Sequence, residues 1–293
     1  MINVGYYCLV ASLIEYQLEG DNKNLNISSV KDEILRTVRK SDAALLSLMT
    51  AYFDLENILM ALDGRDNRFN ALASYSKEEV ATISEALKSH KSINTKDEDG
   101  NDIPNPICLF KFIKKSISFL EDPKNPKEKK EDIASVLLTE YYKEMEASKN
   151  RFIREWGESD RTIKNICAAI EARRNGVDIS KVVIGKGGVV EGLCTSSASD
   201  FGLKGEVDFV DSVLTITEQT DMLKKEKDLD LLRWRIIDEL NVKDYFTINF
   251  ILGYYMKLCM INRWLVLDDA FGREMFDKIV GELTSKKQLP IEE

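Results

Sequence analysis

Residues 131–156 read EDIASVLLTEYYKEMEASKNRFIREW, and Ile133, Leu137, Tyr141, Met145, Ser148, Phe152 and Trp156 recur along them three or four positions apart. Such spacing puts one stripe of side chains on one face of a helix. The stretch predicts a single long helix from about Glu131 to Trp156, ended by Gly157. Ser159 is then expected to cap a second helix that turns Ile163, Ile166, Cys167 and Ile170 inward. That helix is expected to stop at Asn175-Gly176. Arg173 and Arg174 fall in its last turn, where cations favour the helix dipole.

The same period extends outward in both directions. Towards the N-terminus, Val4 to Leu13, with aromatic and β-branched residues at its start, suits a short strand or a helix, and helix is the expected state. Ser29 is read as the cap of a helix to about Val38, with Asp32 as its capping-box partner. Ser41 is read as the cap of an apolar helix that Gly64 closes. Ser76-Lys77-Glu78-Glu79 is a capping box opening a helix to about Leu87, and a short helix is expected over Ile107 to Phe119. Towards the C-terminus, Val177 to Val207 breaks into short pieces. Helices are then expected over Asp208–Thr217, Asp221–Leu240, Tyr245–Leu265 and Asp269–Leu283, the last with Phe271, Met275, Ile279 and Val280 on one face. The polar runs Lys91–Asn105 and Glu121–Lys130 read as loops. The fold class is therefore all-α, with several packed helices. An N-terminal lobe 1–122 and a C-terminal lobe 131–293 are joined by a linker at 123–130, unless 1–293 is one continuous domain.

Composition excludes several classes. The 293 residues carry 50 acids against 41 lysines and arginines, a net charge of −9. An acidic chain is poorly suited to a phosphate backbone, so no nucleic-acid partner is expected. Five cysteines, odd in number and widely spaced with no C-x-x-C, argue against a disulfide framework and a thiolate zinc site. Cys8, Cys108, Cys167 and Cys259 stand among apolar neighbours and are expected to be buried; Cys194 is less clear. The opening MINVGYYCLVASLIEYQLEG has no basic n-region and is interrupted by Glu15, so it does not read as a signal peptide. Tyr245 to Leu267 is the most apolar stretch. It holds Asn249, Lys257, Asn262 and Arg263, which suits a buried helix better than a membrane span.

Chemistry-bearing patterns are few. The one histidine, His90, sits where a helix runs into a charged loop, and its expected state is solvent-exposed. Ile184-Gly185-Lys186-Gly187-Gly188 lacks the spacing of a phosphate loop and reads as a turn. Asp268-Asp269 reads as a helix cap. Arg151, Arg154, Arg233, Arg235 and Arg263 lie beside Phe152, Trp156, Trp234 and Trp264. Such interleaving can bind single-stranded nucleic acid, but on helices it more often means arginine stems over aromatics and guanidinium groups paired to internal acids. If Arg151 or Arg263 is buried, it needs a carboxylate partner. No catalytic, cofactor-binding or metal-ligating residue is singled out, and no cofactor is expected.

Four stretches carry a resemblance. They are Tyr6-Tyr7-Cys8-Leu9-Val10-Ala11-Ser12-Leu13; Lys149-Asn150-Arg151-Phe152-Ile153-Arg154-Glu155-Trp156 with Ile166 to Arg174; Thr195 to Asp208; and Asp244-Tyr245-Phe246-Thr247-Ile248 with Ile261-Asn262-Arg263-Trp264. Together they resemble a bacterial family encoded with V/A-type ATPases. That family is distantly similar to the C-type subunit of those enzymes, the central-axis adaptor that is named d in eukaryotes. The resemblance implies a helical, non-catalytic central-stalk component that couples the shaft subunits to the membrane ring during proton or sodium transport. It implies a cytoplasmic protein, peripheral at the inner face of the membrane through its protein partners. Leu13-Ile14-Glu15 stands where that family would have a proline. The alternatives are a helical scaffold or regulator binding an unrelated soluble partner, and a helical hydrolase or lyase working with carboxylates alone. The last would show a deep pocket holding an acid of raised pKa.

Overall fold

The computed structural model describes residues 5–20, 22, 24–65, 69–91, 93, 107–122 and 132–267. Among the described residues there are eleven α-helices and no strand, and the fold class is all-α as expected. The helices are α1 (Tyr7–Ser12), α2 (Ile27–Thr37), α3 (Lys40–Leu62), α4 (Lys77–Ser89), α5 (Lys111–Glu121), α6 (Ile133–Glu146), α7 (Arg151–Arg174), α8 (Gly188–Thr195), α9 (Val210–Thr217), α10 (Met222–Asn241) and α11 (Ile248–Val266). The helix expected over Asp269–Leu283, the Asp268-Asp269 cap and most of the loop Lys91–Asn105 lie outside the described residues.

The stretch that reads as one helix is two, α6 and α7, separated at Ala147–Asn150. The Asn150 side chain accepts from the Ile153 amide at 3.0 Å and starts α7. The interruption is short enough to leave the apolar stripe in phase, so periodicity does not reveal it. Gly157 does not end a helix either. It lies inside α7, where a Cβ would come within 2.8 Å of the Met145 Cβ. Its bareness lets α6 and α7 cross closely. Ser159, inside the same helix, donates to the Glu155 carbonyl at 2.8 Å instead of capping.

Two further caps differ from expectation. Asn26, three residues before Ser29, caps α2 by accepting from the Ser29 amide. Ser41 lies within the first turn of α3, which begins at Lys40 without a side-chain cap. The Ser76–Glu79 capping box is present with both of its bonds. Gly64 follows α3 with φ +70°, and the Arg65 amide bonds back to the Met60 carbonyl.

Contacts divide the chain into two compact units. One joins Met1–Val38 with Asp244–Glu293; the other is Arg39–Lys243. The expected linker at 123–130 lies outside the described residues, but α5 and α6 on either side of it pack together in the second unit. Phe112 meets Tyr141 edge to face there at 5.4 Å. In the first unit α2 packs on α11, burying Ile34, Ile251, Leu252, Tyr255 and Leu258. The Tyr254 hydroxyl donates to the Ile14 carbonyl at 2.8 Å. The apolar stretch from Tyr245 is thus a half-buried helix.

In the second unit α7 is central. It packs on α6, α8, α9 and α10, while α3 packs on α4 and α6. Buried polar side chains tie the loops down. Asp54 accepts from the Ser74 and Tyr75 amides at 2.7 and 2.8 Å. Asn57 exchanges two bonds with the backbone of Asn70, and Asn165 does the same with Ile184. By length and composition α3 could cross a membrane. Here Asp54 and Asn57 turn one of its faces to the unit's own backbone.

Replacing Asn165 by Ala strands both backbone groups of Ile184 in a buried setting, where each unmade bond costs about 1–3 kcal/mol. Urea denaturation is expected to show a loss of about 2 kcal/mol, with faster proteolysis within 177–187. A loss below about 0.5 kcal/mol would contradict this role.

Candidate functional site

Asp160 lies on the apolar stripe of α7, four residues after Trp156 and three before Ile163, and is 8% exposed. An ionised carboxylate at such a position needs several partners. The Tyr142 hydroxyl of α6 donates to Oδ2 at 2.6 Å. The Arg233 Nε of α10 donates to Oδ1 at 3.1 Å, and the Lys164 ammonium, one turn along α7, stands 3.4 Å from Oδ2. Arg233 also reaches Asp230 at 3.2 Å, and Lys164 sits over the Tyr52 ring of α3, 4.8 Å from its centroid. Two acids and two bases from α7 and α10, with tyrosines from α3 and α6, form one closed cluster.

Its electrostatics follow from burial and pairing together. Burial pushes the Asp160 carboxyl up. Lys164, Arg233 and the Tyr142 and Arg233 hydrogen bonds outweigh this and hold it at about 2. Burial pulls Lys164 down, but Asp160 more than restores it, so it stays above the ordinary lysine value. Burial first, then the Asp160 charge, keeps Tyr142 protonated well beyond the usual range. Asp160 is thus held ionised and Lys164 and Arg233 charged around neutral pH, while Tyr142 keeps its proton. Its contacts join α3, α6, α7 and α10.

Two shallow clefts lie elsewhere in this unit. One, of about 230 Å³ between α3 and α4, is lined by Asn57, Met60, Ala61, Phe69, Lys77 and Val80 among others. The other, of about 320 Å³, is lined by Ile170, Arg173, Arg174, Phe201, Leu214 and Glu218 among others. Asp160, Lys164 and Arg233 line neither. Burial raises the carboxyls of Glu144 and Glu146 on α6, and Glu146 pairs with Arg161 at 2.8 Å. Neither acid lines either cleft. No group of His, Cys, Asp and Glu suited to a metal ion occurs among the described residues.

The chain belongs to the family described as a protein of unknown function (DUF2764). The family model matches residues 3–287, which include all four of the stretches quoted above. No curated protein and no solved structure matches the chain. The family description names no activity, so the site rests on geometry alone.

The arginine expectation moves to another residue. Arg151 is exposed, pairing with Glu155 at 2.6 Å and donating to the Leu240 carbonyl; Arg263 is exposed beside the Trp264 ring. Arg233, at 14% side-chain exposure, is withdrawn from water and has the carboxylate partners, as does Arg161 at 15% with Glu146. His90 is exposed and ends α4 in the left-handed region with φ 53°. The glycine-rich segment is a turn: Gly185 has φ +82°, and a Cβ there would meet Arg161 Nη1 at 2.5 Å. The cysteine expectation is corrected. Cys259 is buried and Cys167 half-buried, but Cys8, Cys108 and Cys194 are exposed, and all five are free. Apolar chain neighbours do not decide which face of a short helix or turn a thiol occupies.

Asp160 contributes stability through a lowered pKa. That contribution is complete above the unfolded value near 3.8 and is lost as pH falls through about 2. Asp160→Asn is expected to cost about 3 kcal/mol or more at pH 7, because it leaves Arg233 and Lys164 short of charge in the interior. The gap to the unsubstituted protein narrows as pH drops from about 4 to about 2. Denaturation midpoints across that range check it, and a constant gap would rule out this linkage.

Proposed function

We propose that the chain is a non-catalytic adaptor, a central-stalk component of a V/A-type rotary ATPase that joins shaft subunits to the membrane ring. The observation that carries this reading is the likeness of the four stretches to the bacterial family encoded with such enzymes. The site supports it physically. A torque-bearing adaptor must resist shear between helices, and the Asp160 cluster ties α3, α6, α7 and α10 through charges that cannot slide without losing partners. The proposed location is the cytoplasmic side, peripheral to the membrane through protein contacts.

The terminal unit adds a second support. Tyr7 and Phe246 meet at 4.7 Å between centroids, their rings tilted by 36°, while remaining 63% and 41% exposed, and Tyr245 beside them in the chain is 67% exposed. The Tyr6 amide donates to the Phe246 carbonyl at 2.7 Å and holds the two segments together. Exposed, pre-positioned aromatic rings are a common anchor of protein interfaces. They also suit the alternative of a helical scaffold with an unrelated soluble partner.

Gentle-detergent purification of the tagged full chain from membranes that hold the ATPase separates the two. The adaptor reading expects ring and shaft subunits in fixed ratio. A different partner, or none, would contradict it.

A further inference from the structure

From the arrangement around Arg173 we infer that residues 196–207 form a strap that opens as a unit, latched to α7 by this one side chain. The inference is independent of the adaptor reading. Three observations meet here. First, the backbone bonds of the strap are local. Phe201 bonds to Ala198, Leu203 to Asp200, and Glu206 and Val207 to Leu203. The Ser196 and Asp200 side chains add bonds to the Ala198 and Gly202 amides. At its ends the Ser196 amide bonds back to the Gly192 carbonyl of α8, the Val207 carbonyl accepts from the Val210 amide, and Lys204 pairs with Asp211 of α9 at 3.3 Å in an exposed contact; between these the bonds are the strap's own.

Second, the bonds that cross from the strap to α7 come from Arg173. Its Nη1 donates to the Ala198 carbonyl at 2.7 Å and its Nη2 to the Ser196 carbonyl at 2.8 Å. Its guanidinium lies 3.8 Å from the centroid of the Phe201 ring, a cation–π stack. Third, Phe201 is held under tension. It has φ 55°, a left-handed backbone that a bulky side chain adopts only at a cost, and it is 1% exposed. Burial of the ring and the Arg173 stack offset that cost in the closed form; opening releases it.

Phe201 and Ser199 of the strap line the 320 Å³ cleft together with Ile170 and Arg173 of α7 and Leu214 of α9. On the other side Leu203 and the Phe201 carbonyl lie so near Gly192 of α8 that a Cβ there would come within 3.3 and 3.4 Å of them. Opening bares the seat of Phe201 and the apolar floor of the cleft, and it frees the Arg173 guanidinium. Segments with local bonding and few fasteners open below the global unfolding energy.

Hydrogen exchange followed by mass spectrometry on the full chain tests this. In the unsubstituted protein, amides within 198–207 are expected to exchange by an opening insensitive to low urea, at least tenfold faster than the buried amides of α7. Arg173→Met is expected to speed them at least a further tenfold and to raise binding of an apolar dye, with exchange in α6 and α7 unchanged. Phe201→Ala should give the same regional pattern. The inference is overturned if the strap amides exchange only with global unfolding, if Arg173→Met changes them less than twofold, or if it accelerates the whole unit equally. Should Arg173→Met fail to fold, the urea dependence of the unsubstituted protein decides alone.

Discussion

An ionised carboxylate in the interior of a helical unit dictates much of what surrounds it. Removing a carboxylate from water costs several kcal/mol even after relaxation. The cost at Asp160 is met by three donors from three helices: Tyr142 of α6, Lys164 of its own α7 and Arg233 of α10. Each cationic donor is constrained in turn, Lys164 by the Tyr52 ring and Arg233 by Asp230. Apolar packing alone would let α6, α7 and α10 slide by a fraction of a turn at small cost. The cluster leaves one register in which every charge is paired.

The loops obey the same rule on a smaller scale. Asp54, Asn57 and Asn165 each turn a buried polar side chain towards the backbone of a connecting segment. Arg173 does so from the surface of α7. Side chains thereby satisfy backbone groups in segments that have no regular structure. The aromatic row of Tyr75, Phe110, Phe112, Tyr141 and Tyr52, with successive centroids 5.4–5.8 Å apart, fills the space between α3, α5 and α6.

Helix type and helix ends with strong chemistry were legible. The 76–79 capping box, the Asn175-Gly176 stop and the helix expected from Asp221 all stand in the structure. The α6–α7 break was not legible, because Ser148 keeps the phase of the stripe across it while Asn150 caps a new helix. Gly157 is no stop signal for a tertiary reason, the nearness of Met145. The central cluster did leave a mark: Asp160 and Arg233 fall in phase with apolar stripes, where a charge has to find a partner. Which arginine is buried depends on the rotation of α10, which no local pattern reports. The division into units, with both ends of the chain in one of them, is likewise a product of long-range contact.

The proposed adaptor role asks the helices of the second unit to keep their register under load. All of this rests on the cluster acting as a coupled fastener. The direct measurement is a double-mutant cycle on urea stability with Asp160→Asn, Arg233→Met and both together. Coupled charges predict that the double variant is about 2–3 kcal/mol more stable than the two single losses would sum to. Additivity within about 0.5 kcal/mol would contradict the account.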